Sequence, residues 1–348
     1  MARGDVRPTG EAFASLPVAV DAMGGDRAPG EIVAGARQVA EQSGIGVLLV
    51  GRPGEMGDTG GLPELHASEV IGMDDDPAQG VRRKKDSSLV RAAEAVRDGK
   101  AMAMVSAGNT GAAMASALLR MGRLPGVVRP AIATPIPNPG SGKPPTVLLD
   151  SGANAECTAQ MLVQFAQMGA AFARQRYGVA RPTVALLSIG EEKSKGTPLE
   201  KEAHALLDSG AGGDGFEFIG NVEGRDFLHA AADVIVTDGF TGNVALKTME
   251  GSLKFLVGAL TEILGRPGLE MAAEALLPAI APLATELEPE GTGGAMLLGV
   301  DGVCVISHGS SSAKAMVSAI TVAHDLAVGG LVAAVADAVT EIAAPVPG

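Results

Sequence analysis

VSAGNTG at 105–111 and VTDGFTG at 236–242 are two copies of one pattern, V-[ST]-x-G-x-T-G, set far apart in the chain. In each, an apolar run stops at a glycine, where the backbone must turn tightly, and a residue able to cap a helix follows. Four related turns close other apolar runs: VDAMGGD (20–26), LDSGANAE (149–156), LSIGEEKSKGTP (187–198) and VISHGSSSAK (305–314). A chain that repeats strand, glycine-rich turn and helix in this way folds as an α/β protein, with mostly parallel sheets and helices on both faces. The runs predict strands at 18–21, 46–50, 103–106, 146–150, 183–188, 234–237 and 302–307. Helices are expected at 31–43, 89–98, 112–121, 159–176, 199–208 and 313–328.

A length of 348 residues suits two such domains, and the proline-rich stretches at 133–145 and near 278–294 read as the crossovers between them. The stretch 1–16 reads as a disordered tail without the apolar segment of a signal peptide, and 337–348 is expected to fray. With 8 Phe, 1 Tyr and no Trp, the core falls to Ala, Val, Leu, Ile and Met. A net charge of -13 and so few rings for stacking on bases argue against a nucleic-acid partner. Cys157 and Cys304 are too few for a disulfide framework and lack the spacing of a metal or redox pair, which points to a reducing, cytoplasmic setting. The longest uncharged run, 101–119, carries Ser106, Gly108, Asn109, Thr110 and Gly111 at its middle, so it reads as strand, turn and helix and not as a membrane span.

In a parallel sheet, turns of this kind gather at the carboxyl ends of the strands, and helix N-termini with free N–H groups attract anions. Six of them on one rim would make a site for a small anion, most simply phosphate or a phosphorylated compound. The sequence has no G-x-x-x-x-G-K-[ST], H-E-x-x-H, G-x-S-x-G, or strand-borne G-x-G-x-x-G. Of the five histidines only His308 lies in one of the glycine-rich turns; His66, His204, His229 and His324 read as surface or packing residues. Acyl transfer from a thioester to phosphate fits this inventory, because phosphate is already an oxyanion and a thiol of pKa about 8.5 leaves readily. It requires no metal, no cofactor and no nucleophilic side chain.

The motifs AVDAMGGDRAP (19–29), VRRKKDSS (81–88), SAGNTGA (106–112), LLDSGAN (148–154), IGEEKSKG (189–196), FIGNVEGRD (218–226), VTDGFTGNVALKTMEG (236–251) and HGSS (308–311) together resemble the phosphate acyltransferases of bacterial phospholipid synthesis. The resemblance runs in unbroken order from about residue 17 to 327. It implies conversion of a long-chain acyl-acyl carrier protein and inorganic phosphate to acyl phosphate and free carrier protein, feeding a glycerol-3-phosphate acyltransferase. It also implies a homodimer and a fold similar to phosphotransacetylases and isopropylmalate dehydrogenases. In that fold a first domain, 17–132, is completed by 291–336 after the chain has built a second, 133–290, with the site in the cleft between. Thr292 stands before Gly293 and Gly294 where the family often has Tyr, so a Tyr contact is not carried over.

Against that background, Lys195 is the first choice for a cation facing phosphate or a developing oxyanion. Asn243 can donate through its amide, and Asp238 can orient a donor or accept a proton, although both positions also suit plain helix capping. Phosphate contacts are expected from Asp21, Gly24, Gly25, Asn109, Thr110, Gly111, Thr241, Gly242, His308, Ser310 and Ser311. The cluster Arg82, Arg83, Lys84 and Lys85 is expected to dock the acidic carrier protein. Leu253, Leu256, Val257, Leu260 and Leu264 form an apolar helical stripe, interrupted beyond by Pro278 and Pro282, which either packs in a dimer interface or touches lipid peripherally. Two rivals remain. A dehydrogenase on the same fold would need a divalent metal and a dinucleotide, and a non-enzymatic membrane-associated scaffold would not depend on Lys195.

Overall fold

A computed structural model describes residues 10–287 and 291–339. The strands are β1 Val18–Asp21, β2 Val47–Gly51, β3 Glu64–His66, β4 Ala103–Ser106, β5 Ala131–Ile136, β6 Thr146–Leu149, β7 Thr183–Leu187, β8 Glu217–Val222, β9 Val234–Val236, β10 Ala295–Leu298 and β11 Val303–Ile306. The helices are α1 Glu11–Ala14, α2 Gly30–Ser43, α3 Pro77–Arg83, α4 Ser88–Arg97, α5 Thr110–Arg120, α6 Ala159–Tyr177, α7 Pro198–Asp208, α8 Gly239–Leu264, α9 Glu270–Glu286, α10 Ala313–Val328 and α11 Leu331–Ala338. All the strands join one sheet, in the order β3-β2-β1-β4-β11-β10-β5-β6-β9-β7-β8.

Residue alternation along the strands sets what covers each face, since successive side chains point to opposite sides. Val18, Val20, Val105, Ala133, Leu149, Leu186, Val236 and Val305 all enter a single core that α2, α6 and α10 also fill. On the other face the alternate residues divide. Ala19, Met104, Ile132, Cys304 and Ile306 meet α4 and α5 in one core. Ile136, Leu148, Ala185 and Ile235 meet Leu246 of α8 in another. The seam falls on β5, where Thr134 shares a face with Ile132 and Ile136 and hydrogen-bonds the Ser151 hydroxyl at 2.6 Å.

The sheet is mostly parallel, as expected, but its middle is not. The pairs β11·β10, β10·β5 and β5·β6 are all antiparallel. Three reversals leave β6, β9, β7 and β8 running opposite to β1, β4 and β11, so the six glycine-rich turns do not share one rim. They form two sets, one on each half of the sheet. Pro135 lies inside β5, within the stretch expected to begin a crossover. It is tolerated because its partner Val147 turns its N–H to Asp233 O, so the pair exchanges no ladder bond.

The tail reading is corrected for 10–16 and 337–339. Helix α1 forms there, Phe13 and Leu16 pack on the main core, and α11 runs to Ala338 with Val339 packed as well. Apolar contact orders these segments; residues 1–9 and 340–348 lie outside the described ones. Helix α9 also runs unbroken through Pro278 and Pro282, where an interruption was expected. The carbonyl that Pro278 leaves unbonded, on Glu274, sits in an exposed stretch where water can serve it. No single helix among the described residues is long and apolar enough to cross a membrane.

Candidate active site

The first set of turns follows β1, β4 and β11 and is largely closed on itself. Asp21 is buried and accepts from the Ser106 hydroxyl at 2.7 Å and from Met23 N. Burial pushes its carboxyl up, against hydrogen bonds from Ser88, Ser106, Met23 and Gly24. Gly24 lies against Gly108, and Gly25 against Ala107 and Gly309, with Asp26 N bonding Gly309 O at 2.8 Å. Asn109 caps α5 through Ala112 N, and its amide donates to Met73 O and Asp75 O, so it clamps the preceding loop. Gly111 packs on Pro77. The start of α10, the natural anion site beside His308, is occupied by the protein's own Glu31, whose carboxylate accepts Ala313 N at 2.7 Å. Ser311 is buried against Ser307, while His308 and Ser310 are exposed and bonded to each other. In this set Thr110, exposed at the first turn of α5, is left facing solvent.

The basic cluster borders this set through α3. Lys84 is tied to Asp75 at 2.5 Å and to Val70 O at 2.9 Å, so its ammonium is already engaged within the loop. Arg82, Arg83 and Lys85 are exposed.

The second set follows β6, β9 and β7, adjacent in the sheet. Its frame is Asp150, fully buried, whose carboxylate accepts from Ile132 N, Gly152 N and Ala153 N on one oxygen and from Asn154 N and Nδ2 on the other. The turn thus coordinates its own anion. Asp238 caps α8 by accepting Thr241 N at 2.9 Å, and Gly239 N bonds Asn154 O at 2.8 Å. At Gly242 any Cβ would run into the Asp150 carbonyl oxygen, so only glycine lets α8 rest on that turn. The next residue, Asn243, is exposed on the same helical turn as Thr241 and stands beside Gly152.

Lys195 rises from the turn after β7, which neighbours β9. Its backbone N–H closes a turn on Glu192 O at 2.9 Å, and its stem lies along Gly190. Among the described residues its ammonium has no ion pair, whereas Lys84 and Arg225, also beside the turns, do. An unneutralised cation, a side-chain amide and an exposed hydroxyl, borne on the turns after adjoining strands, can hold an anion and stabilise a developing oxyanion. The structure therefore brings Lys195, Thr241, Gly242, Asn243 and Asp238 to one edge, and leaves Asp21, Gly24, Gly25, Asn109, Gly111 and the serines as the frame of the other set. Asp150, Asn154 and Asn221 were not singled out from sequence; Asp150 and Asn154 sit in LDSGAN, and an Asp closing a strand before Gly was the available sign.

The two cysteines are poor nucleophiles. Burial pushes the half-buried Cys157 thiol up to about 12, with Asp150 and Asp238 adding to the rise, and burial alone puts Cys304 at about 12. Thiolate is then scarce at neutral pH. The double variant Cys157→Ala, Cys304→Ala is expected to keep most of its turnover, and a trapped acyl-cysteine in the parent protein with a dead double variant would refute this.

The family model described as "Fatty acid synthesis protein" matches residues 16–333. A phosphate acyltransferase of Heliobacterium modesticaldum is 46% identical over 319 residues, covering 89% of this chain and 93% of the relative. One from Pelotomaculum thermopropionicum is 47% identical over 326 residues, covering 89% and 91%. Among solved structures, a phosphotransacetylase from Streptococcus pyogenes superposes with a TM-score of 0.62 at 17% identity, covering 90% of this chain and 94% of that one.

Proposed function

The chain belongs to the phosphate acyltransferase family and is an acyltransferase, and from that premise we propose that it moves a long-chain acyl group from acyl carrier protein to inorganic phosphate for phospholipid synthesis. The observation that carries this reading is that the unpaired Lys195 and the exposed Asn243 follow adjacent parallel strands, on the edge where β7 and β9 end. A phosphate oxygen attacks the thioester carbonyl, forming the C–O bond of the acyl phosphate. The tetrahedral oxyanion is met by the Lys195 ammonium and the Asn243 amide. Collapse breaks the C–S bond, and the proton of the attacking phosphate passes to the departing thiolate. The exposed Thr241 hydroxyl holds phosphate beside Asn243, and Asp238, committed to capping, keeps that helix start in place.

Arg82, Arg83 and Lys85 receive the acidic carrier protein, by charge that outlasts the chain's negative balance at short range. The reactive product is passed to a glycerol-3-phosphate acyltransferase. Helix α8 beyond Met249 and helix α9 form a hairpin with exposed apolar residues, Phe255 at 77% and Met271 at 85% among them. A second copy of the chain covers this face, giving a homodimer in the cytoplasm; the glutamates of the hairpin suit an anionic membrane surface poorly. Sedimentation at the mass of one chain would refute the dimer.

The test is the rate of carrier thiol release from palmitoyl-acyl carrier protein. It rises with phosphate and persists in EDTA, and the Arg83→Glu, Lys85→Glu variant raises KM with little change in kcat. Release that is indifferent to phosphate would refute the reading.

A further inference from the structure

Beneath the Lys195 turn lies a buried polar pair that no step above uses. Strand β8 carries one extra residue where it pairs with β7: Val184 faces Phe218, but Leu186 faces Asn221. Gly220, at φ 97, takes up the irregularity, a conformation that side-chain-bearing residues rarely adopt. The bulge re-aims Asn221 into the protein, where it is 8% exposed. Its amide nitrogen donates to Glu192 O at 3.1 Å and to Gly190 O at 3.4 Å. Glu192 O is the same carbonyl that accepts Lys195 N.

With both amide protons directed at carbonyls, the Asn221 side-chain oxygen must be the acceptor towards His204, whose Nδ1 lies 2.9 Å away and therefore carries a proton. His204 is itself buried on α7, its ring packed edge-on against Phe218 at 5.1 Å. The chain of bonds runs from helix to strand to turn: His204, Asn221, Glu192 carbonyl, Lys195.

We infer that Asn221 is the positioning residue for Lys195, and that His204 fixes the orientation of the Asn221 amide. The turn's other bonds lie to either side of Lys195, from Arg225 to Glu191 at 3.4 Å and from Thr197 N to Glu200 at 2.6 Å, and a shift of about 1 Å in a charge that stabilises a transition state costs heavily. The inference rests on the catalytic reading of Lys195. Asn221 acts without touching substrate, through the backbone that carries the ammonium.

The test is a double-mutant cycle on the full-length protein in the phosphate-dependent assay. Asn221→Ala lowers kcat roughly 10- to 100-fold, with the KM for acyl carrier protein within about twofold. In a Lys195→Ala background the same change costs no more than about twofold, because the group it positions is gone. His204→Ala is impaired and His204→Gln, which keeps a donor towards Asn221, recovers. Hydrogen exchange of the free protein gives a second arm: Asn221→Ser loosens the amides of 190–196 while β7 and β8 stay protected. Losses that multiply in the double variant, or a turn whose exchange is unchanged, would overturn the inference. If the parent protein shows no acyl transfer, the functional reading fails, and the exchange arm still decides whether Asn221 holds the turn.

Discussion

Lys195→Ala is expected to lower kcat by roughly 10²- to 10³-fold while the KM for acyl carrier protein and the melting temperature stay close to those of the parent. The ammonium is exposed and bonded to no described residue, so its removal leaves no buried partner unsatisfied and no cavity. Its effect must then be felt where charge develops, in the tetrahedral intermediate, and not in the resting protein. Lys193, two residues earlier and equally exposed, is the control: Lys193→Ala should turn over normally. Steady-state kinetics with both substrates varied separates the two constants. A Lys195→Ala protein with normal kcat would remove this residue from the chemistry, and equal losses for both lysines would reduce the effect to general surface charge.

The largest stability loss is expected at Asp150. Its carboxylate satisfies four backbone N–H groups and the Asn154 amide inside a fully buried site, so Asp150→Ala strands several donors at once. The cost is about 3 kcal/mol or more, since each buried donor left without its acceptor costs about 1–3 kcal/mol. Asp150→Asn retains an acceptor for Ile132, Gly152 and Ala153 but turns an NH₂ group towards the Asn154 donors, so it is destabilised less. Activity falls with stability, because α8 rests on this turn through Gly242. Urea unfolding of the three proteins measures the difference. A loss below about 1 kcal/mol for Asp150→Ala would mean that water replaces the carboxylate and that the turn does not depend on it.

The strand ends were legible because each pairs a β-branched or aliphatic run with a glycine and a capping residue within a few positions, and such local signals need no tertiary context. Seven strands could be placed in this way. Strand β10, AMLL, has no β-branched residue, and β5 contains Pro135, so neither announces itself, and with them the reversal of strand direction was hidden. That reversal is why Asp21 and His308 were grouped with Asn243 in sequence and lie on a different half of the sheet in the structure.

Within the site, Lys195 was visible as a cation in a glycine-rich turn, and Asp238 as a helix cap, which is the role its bond to Thr241 N supports. The capping alternative also accounts for Asn109. The tie of Lys84 to Asp75 was not legible, because spacing along the chain gives no sign of a partner that reaches it only once α3 has folded. Asn221 was quoted in FIGNVEGRD without a role, since a one-residue bulge changes which face a side chain takes and no local pattern reveals it.

The acceptor is identified most directly by incubating the purified protein with palmitoyl-acyl carrier protein and inorganic phosphate, and trapping the product with hydroxylamine. Acyl transfer to phosphate predicts palmitoyl hydroxamate formed one-for-one with released carrier thiol, only when phosphate is present, and lost in Lys195→Ala. Thiol release accompanied by free palmitate and no hydroxamate would show a thioesterase, with water and not phosphate as the acceptor, and would contradict it.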